Sequence, residues 1–333
     1  MAPADRDPAP TSLPAKNSPA VSPLGMSLRK DLKDWQVRWA ERNGIRVGAP
    51  PGNPTSRATG YVSELQDNLF DPLSERVKRQ FIAGAGGELD APDGRSGNMY
   101  AVYSSSALCV NCFHYWSRLL DGTPGPSSRT AIDPLLTACG LPTRRVKSID
   151  FEVPNIVNPH FTVAPHLDVE ISFDEGPWKC AGIEAKFCEP YDDQKLGGLN
   201  PVYFRQKALW QDWPNVRAFA QELSPEDLTH SHFHAAQLLK HLLGLRKQKY
   251  TSFVLVYLWF DVPGAEAAIR HRREIESFGE VLKRDRVAFI SRTYQEVFEV
   301  LRGGNAERMS PYVAYLLERY LDEAPRRDDG LKP

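Results

Sequence analysis

The spacing of hydrophobic residues changes near residue 146. Before it, apolar positions recur at helical intervals: Leu28, Leu32, Trp35 and Trp39 line one face of a segment from Met26 to Asn43. Phe70 to Phe81 has the same texture, and Ser104, Ser105 and Ser106 offer an N-cap to an apolar helix from Ala107 to Leu120. A turn-rich linker from Gly44 to about Gly60, a glycine-rich loop from Gly84 to Gly97, and loops running to about Arg145 separate them. After Val146 short β-type segments take over, at Ser148–Val153, His166–Phe173, Cys180–Phe187, Thr251–Asp261 and Val287–Ser291. Helices are predicted among the later ones. One starts at Ser224-Pro225-Glu226-Asp227, which combines an N-cap, a proline and first-turn acids, and runs to about Lys247. Another spans Gly264 to about Arg284, and a last one runs from Ser310-Pro311 to near Glu323. This order predicts an α/β fold: a mixed central sheet flanked by helices, plus an N-terminal helical region.

Composition divides the chain further. The first 25 residues hold six prolines and no periodic apolar face, so 1–25 is expected to be a disordered tail, followed by a mainly helical region over 26–145. The α/β core with its C-terminal helices is assigned to 146–323, and 324–333 is a polar tail. The longest apolar run, Phe253 to Phe260, has strand length, far below the roughly 20 residues that span a bilayer. The N-terminus lacks the apolar core of a secretory signal, and five cysteines, an odd number, suit reduced thiols. Together these point to the cytoplasm, with no membrane partner. Across all 333 residues, 41 Lys and Arg against 42 Asp and Glu exclude bulk attraction to an anionic polymer. Any anionic partner must be held by a local patch.

Candidate chemistry concentrates in the segment PHLDVEISFDEGPWKCAGIEAKF. Side chains alternate along a strand, so Glu184 and Lys186 share one face while Ile183, Ala185 and Phe187 share the other. If the strands pair back across the Asp174–Pro177 turn, Asp168 lies beside them. The acid-x-Lys pattern alone is weak, since Asp31-Leu32-Lys33 and Asp193-Gln194-Lys195 also match. Context separates Glu184, which sits on an apolar strand 16 residues after an acid on its neighbour. The plainer reading is a cross-strand ion pair at a sheet edge. On the helix expected after Ser224, His230, His234, Gln237 and His241 fall within a stripe about 60° wide at ~100° per residue. Either Gln237 is buried and faces the site or the stripe is a polar face that caps the sheet. Zinc fits it poorly, because the helix offers no acidic or Cys partner at ligand spacing. Cys109-x-x-Cys112 with His114 reads as part of a buried helix, there is no phosphate-binding P-loop or Gly-x-Ser-x-Gly elbow, and a glycosidase pair has no need of Lys186.

Asp168, Glu184 and Lys186 in this context resemble the active site of PD-(D/E)xK nucleases, the restriction-endonuclease-like superfamily. The resemblance implies Asp168 and Glu184 as ligands of Mg²⁺, with Mn²⁺ as a substitute and the Ala185 carbonyl as a third ligand. Lys186 would orient the attacking water and stabilise developing charge. His166 and Leu167 separate Pro165 from Asp168, a departure from the literal motif. Some members carry Gln-x-x-x-Tyr on the following helix to position DNA. Gln237-Leu238-Leu239-Lys240-His241 is similar to it, with His in place of Tyr, which leaves the role of His241 open. Glu88, in GAGGELD, matches the extra acid that many members bring from the N-terminal side, either completing a metal site or ending a loop. Through NLFDPLSERVKRQFIAGAGGELD, YSSSALCVNCFHYW and LDVEI with GIEAKFCEPY, the chain from about Asn68 to Leu301 is similar to a group of uncharacterised bacterial proteins described as restriction endonucleases. The implied function is Mg²⁺-dependent DNA endonuclease activity in restriction or phage defence, with a homodimer as one route to cutting both strands. The alternative is a catalytically silent DNA-binding or scaffolding protein on the same fold. Charge agrees with a phosphodiester substrate: Val146–Asp193 holds 3 basic against 10 acidic residues, and His230–Arg292 holds 11 against 6. An acidic centre flanked by a basic region predicts DNA binding that needs Mg²⁺ and weakens with salt.

Overall fold

All five β-type segments form strands and build one sheet. The structure, a computed structural model, describes residues 27–53, 55–84, 86–89, 97–122, 131–158, 160–161, 164–192, 195–248, 252–304 and 310–326. The Pro-rich tail, most of the polar C-terminal tail and Asp193 therefore lie outside the described residues. In chain order the helices are α1 (Leu28–Arg42), α2 (Glu75–Ala83), α3 (Ser105–Gly122), α4 (Asp133–Ala138), α5 (Pro214–Glu222), α6 (Ala235–Lys247), α7 (Glu266–Arg284), α8 (Tyr294–Gly303) and α9 (Ser310–Tyr320). Val47–Gly48 and Tyr61–Val62, β1 and β2, make a two-residue antiparallel ribbon. The central sheet has the order β3 (Val146–Pro154), β4 (His166–Phe173), β5 (Cys180–Lys186), β6 (Phe253–Trp259), β7 (Phe289–Thr293).

The first three of these strands are antiparallel and the last three parallel. Connection length dictates this: a short turn reverses β4 into β5, whereas β5 to β6 and β6 to β7 cross over through helices. Both sheet faces are covered. On one, Phe151, Val169, Ile171, Ile183, Val256 and Leu258 pack with residues of α1 to α4, α8 and α9. On the other, Leu255, Tyr257 and Trp259 pack with residues of α5, α6 and α7. Burial on both faces explains why β5 and β6 read as nearly unbroken apolar runs. The N-terminal helix joins this core directly: Trp35 of α1 has its ring 6.3 Å from Phe187 and 5.5 Å from Phe260. Among the described residues no helix is long and apolar enough to cross a membrane.

Several boundaries differ from the sequence expectation. The helix expected from Phe70 begins at Glu75, where Ser74 accepts a hydrogen bond from the Val77 N–H. The last strand starts at Phe289, not Val287, because Arg286 turns the chain with φ at 57° after α7. The largest correction concerns the helix expected from Ser224, which starts eleven residues later, at Ala235. Asp227 accepts from the backbone N–H groups of Thr229 and His230, and Glu274 of α7 accepts from those of Ser231, His232 and Phe233. Those donors are satisfied by carboxylates, so the segment has no need of a helical ladder. Helices α4, α5 and α8 were not anticipated.

Candidate active site

Pairing between β4 and β5 runs from Ser172 and Cys180 to Val169 and Ile183 and stops there. The next residues on the two strands are Asp168 and Glu184, so the two acids sit where the strands fork. At the fork the Ala185 N–H donates to Asp168 Oδ2 at 2.6 Å, and the carboxylate takes the place a strand carbonyl would fill. The neighbouring strand adds a third acid. Phe151 pairs with Val169 and Val153 with Leu167, which sets Glu152 level with Asp168. Glu152 has φ at 49°, a left-handed backbone that non-glycine residues seldom adopt. Strand alternation breaks at this point: Phe151 packs in the first core, Val153 against the second.

Glu184 is 1% exposed, and two groups reach its carboxylate. Lys186 Nζ lies 2.5 Å from Oε1 and His241 Nε2 lies 2.8 Å from Oε2. Burial alone would raise its pKa, but Lys186 and His241 hold it at about 2. The neighbouring acids go the other way. Burial, then the Glu184 charge, pushes Asp168 well above the carboxylate range, against the pull of Lys186 and the Ala185 N–H. Burial and the charges of Glu88 and Glu184 push Glu152 up to about 7. Burial also raises Glu88, although its Oε2 accepts from Ser106 Oγ at 2.7 Å. Burial works against the Lys186 ammonium, yet Glu184, Asp168 and Glu189 raise it above the ordinary lysine value. The centre thus holds one firmly ionised carboxylate, one ammonium and three acids driven toward protonation.

These donors fit a hard divalent cation. Carboxylate oxygen is what Mg²⁺ prefers, and repulsion among the acids would be relieved by positive charge. Neither Glu184 oxygen, though ion-paired, makes a well-directed hydrogen bond, which leaves buried lone pairs available. Among the described residues no group of three or more His, Cys, Asp or Glu side chains forms a ready metal cage. A cation held by one or two carboxylates, a backbone carbonyl and waters is the Mg²⁺ pattern, not that of a structural metal.

The remaining expected residues divide. Glu88 is within electrostatic reach of the cluster: its charge helps raise Glu152, and Lys186 pulls the pKa of Glu88 down. Its loop depends on Gly97, where a Cβ would sit 2.2 Å from the Glu88 backbone. Gln237 lies on α6 one turn before His241 and is half-buried, not buried. The histidine stripe does not exist as a helical face: His230 and His234 precede α6, and His230 Nδ1 instead lies 3.0 Å from Asp227 Oδ2. Asp31 and Lys33 lie on α1, as expected. Cys109 and Cys112 are buried free thiols, and His114 Nε2 accepts from the Ser74 N–H at 3.1 Å, so this motif serves packing and capping. Two open grooves, of about 910 and 740 Å³, run along α7, and no residue of the acid cluster lines either. Sequence reasoning missed Glu152, whose only signal is the β3–β4 register, and left His241 without a role.

No curated protein and no solved structure matches the chain. A family model described as restriction endonuclease associating with ARP matches residues 39–321, a span that contains every member of the acid cluster together with Lys186, Gln237 and His241. The match takes in most of the chain, and the protein belongs to that restriction-endonuclease family.

Proposed function

We propose that the protein is a Mg²⁺-dependent DNA endonuclease acting in restriction, with Asp168, Glu184 and Lys186 at its active centre. The observation that carries this reading is the fork of β4 and β5, where two acids from neighbouring strands meet a lysine two residues along. Asp168, Glu184 and the Ala185 carbonyl would hold the cation, with Glu88 as a further acid at the edge of the site. When bound, Mg²⁺ (or Mn²⁺ in its place) supplies Lewis acidity toward the scissile phosphate and the attacking water.

The protein's own groups do the rest. Lys186 stays protonated because Glu184, Asp168 and Glu189 favour the ammonium, so it orients a water and stabilises charge developing on the phosphate. Glu184 stays ionised at every physiological pH. Gln237, half-buried on α6 one turn before His241, is the residue assigned to contact DNA. The basic content of His230–Arg292 supplies backbone attraction that the acidic centre lacks. The family description names an association with ARP, and we read the chain as taking part in it.

The test is plasmid cleavage by purified protein with Mg²⁺, Mn²⁺ or EDTA, beside an RNA substrate. Asp168→Ala and Lys186→Ala are expected to cut at least about 100-fold more slowly while still shifting DNA in a gel. Variants that cut as fast as the parent would show the site to be misassigned. A parent that shifts DNA with or without Mg²⁺ and leaves it intact would favour the silent binding protein.

A further inference from the structure

The structure assigns His241 as a positioning residue that fixes the carboxylate of Glu184 for cation binding; this rests on the nuclease reading above. His241 is fully buried in the apolar face of α6, among Leu238, Leu239, Leu242 and Leu245, each also fully buried. An imidazole in such a place is costly without a polar partner. Its Nδ1 has no hydrogen-bond partner, and its Nε2 edge lies 2.8 Å from Glu184 Oε2. Glu184 is therefore the group that accounts for a polar ring at this position.

The ring is held from behind. The main-chain carbonyl of His241 accepts from Asn155 Nδ2 at 2.7 Å, and Asn155 is itself fully buried just after β3. Gly244, one turn on, lets the helix approach: a Cβ there would lie 2.4 Å from Asn155 atoms. The close approach at Gly244 fixes α6 against Asn155, and Asn155 fixes the helix at the level of His241. The imidazole then meets Glu184 from a different element than Lys186, which shares Glu184's strand. A carboxylate touched on one oxygen by a flexible ammonium and on the other by an anchored ring loses its rotational freedom. Each contact takes one side of a carboxylate oxygen and leaves a further lone pair on it for a cation, so the ring restrains Glu184 without blocking a metal.

This differs from the role that similarity to Gln-x-x-x-Tyr implies. His241 faces a carboxylate inside the protein, leaving Gln237 as the residue of the pair nearer solvent.

Calorimetric titration of the full chain with Mg²⁺, in the absence of DNA, tests the inference alongside cleavage kinetics. His241→Phe keeps the ring and removes the polar edge. It is expected to weaken Mg²⁺ binding by about 10- to 100-fold and to lower kcat with KM for DNA unchanged. His241→Gln returns an N–H donor and is expected to recover most of both. Should His241→Phe fail to fold, His241→Met, apolar and flexible, takes its place. An apolar variant that folds and binds Mg²⁺ as tightly as the parent overturns the inference, and so does a Gln variant no better than the apolar one. A parent that neither binds Mg²⁺ nor cuts DNA instead overturns the nuclease reading itself.

Discussion

Replacing Lys186 with Met removes the ammonium from the buried centre while keeping a chain of similar length. In the parent, Glu184 sits at about 2 against an ordinary 4.5 even though burial opposes its charge. At about 1.4 kcal/mol per pH unit this corresponds to roughly 3 kcal/mol of net stabilisation supplied by Lys186 and His241. Removing one partner of a buried pair costs about 3–5 kcal/mol, because the other charge stays behind. Lys186→Met is therefore expected to lower the unfolding free energy by about 3 kcal/mol at pH 8 in EDTA. The pH dependence is the sharper signature. A depressed carboxylate contributes stability that is fully present above its ordinary pKa of 4.5 and is lost as pH falls through about 2, so in the parent Glu184 adds a constant amount between pH 8 and 5. Without Lys186, burial pushes the carboxyl upward and the folded form takes up a proton in mild acid. The deficit then narrows from pH 8 to pH 5. Urea unfolding followed by fluorescence of the seven tryptophans measures it directly. In the same variant Mg²⁺ affinity should hold or rise, since the cluster has lost a competing cation, while cleavage falls at least about 100-fold. Equal stability of variant and parent at pH 8, or a deficit unchanged at pH 5, would refute the assignment of Lys186 as the counter-charge of Glu184.

Three further outcomes follow from the same structure. Glu152, raised to about 7, costs stability as pH climbs from its ordinary 4.5 through 7, so Glu152→Gln should stabilise the cation-free protein at pH 8 by about 2 kcal/mol and have little effect at pH 4.5, by urea unfolding. Burial holds His114 down at about 4 and His271 at about 3, both neutral in the fold; stability should be full above pH 6.5 and decline as pH falls toward 4, and His114→Gln should flatten part of that slope. Gly97→Ala would drive a Cβ into the Glu88 backbone, which has no flexible end to yield. It is expected to lower the Tm by several degrees and to slow cleavage more than it weakens DNA binding.

What the sequence made legible was local. Asp168, Glu184 and Lys186 could be brought together on paper because a short turn joins their strands, and in a tight antiparallel pair the register follows from chain separation. Short β-type segments likewise marked all five sheet strands, β5 and β6 as nearly unbroken apolar runs. The helix start at Ser224 was misread because Ser-Pro-Glu-Asp has the composition of a cap, whereas the donors it would have committed to a helix are taken by Asp227 and, some forty residues away, Glu274. Glu152 was illegible because its place depends on the β3–β4 register, set by two-sided core packing, and on a left-handed backbone that no turn residue announced.

The same division decides the chemistry. Asp168 and Glu184 are interchangeable members of one motif, yet burial and neighbours drive them in opposite directions, Glu184 to about 2 and Asp168 well above the carboxylate range. Lys186, two residues away, touches Glu184 and is the strongest influence keeping it ionised, while for Asp168 its pull ranks below burial and the Glu184 charge. His241 adds to the difference: it contacts only Glu184 of the two and arrives from a helix some fifty residues further along the chain. The motif says that two acids meet a lysine, and the tertiary contact from His241 reinforces the charge that Lys186 favours on Glu184. His241→Phe should therefore weaken Mg²⁺ binding although Asp168, Glu184 and Lys186 are all intact.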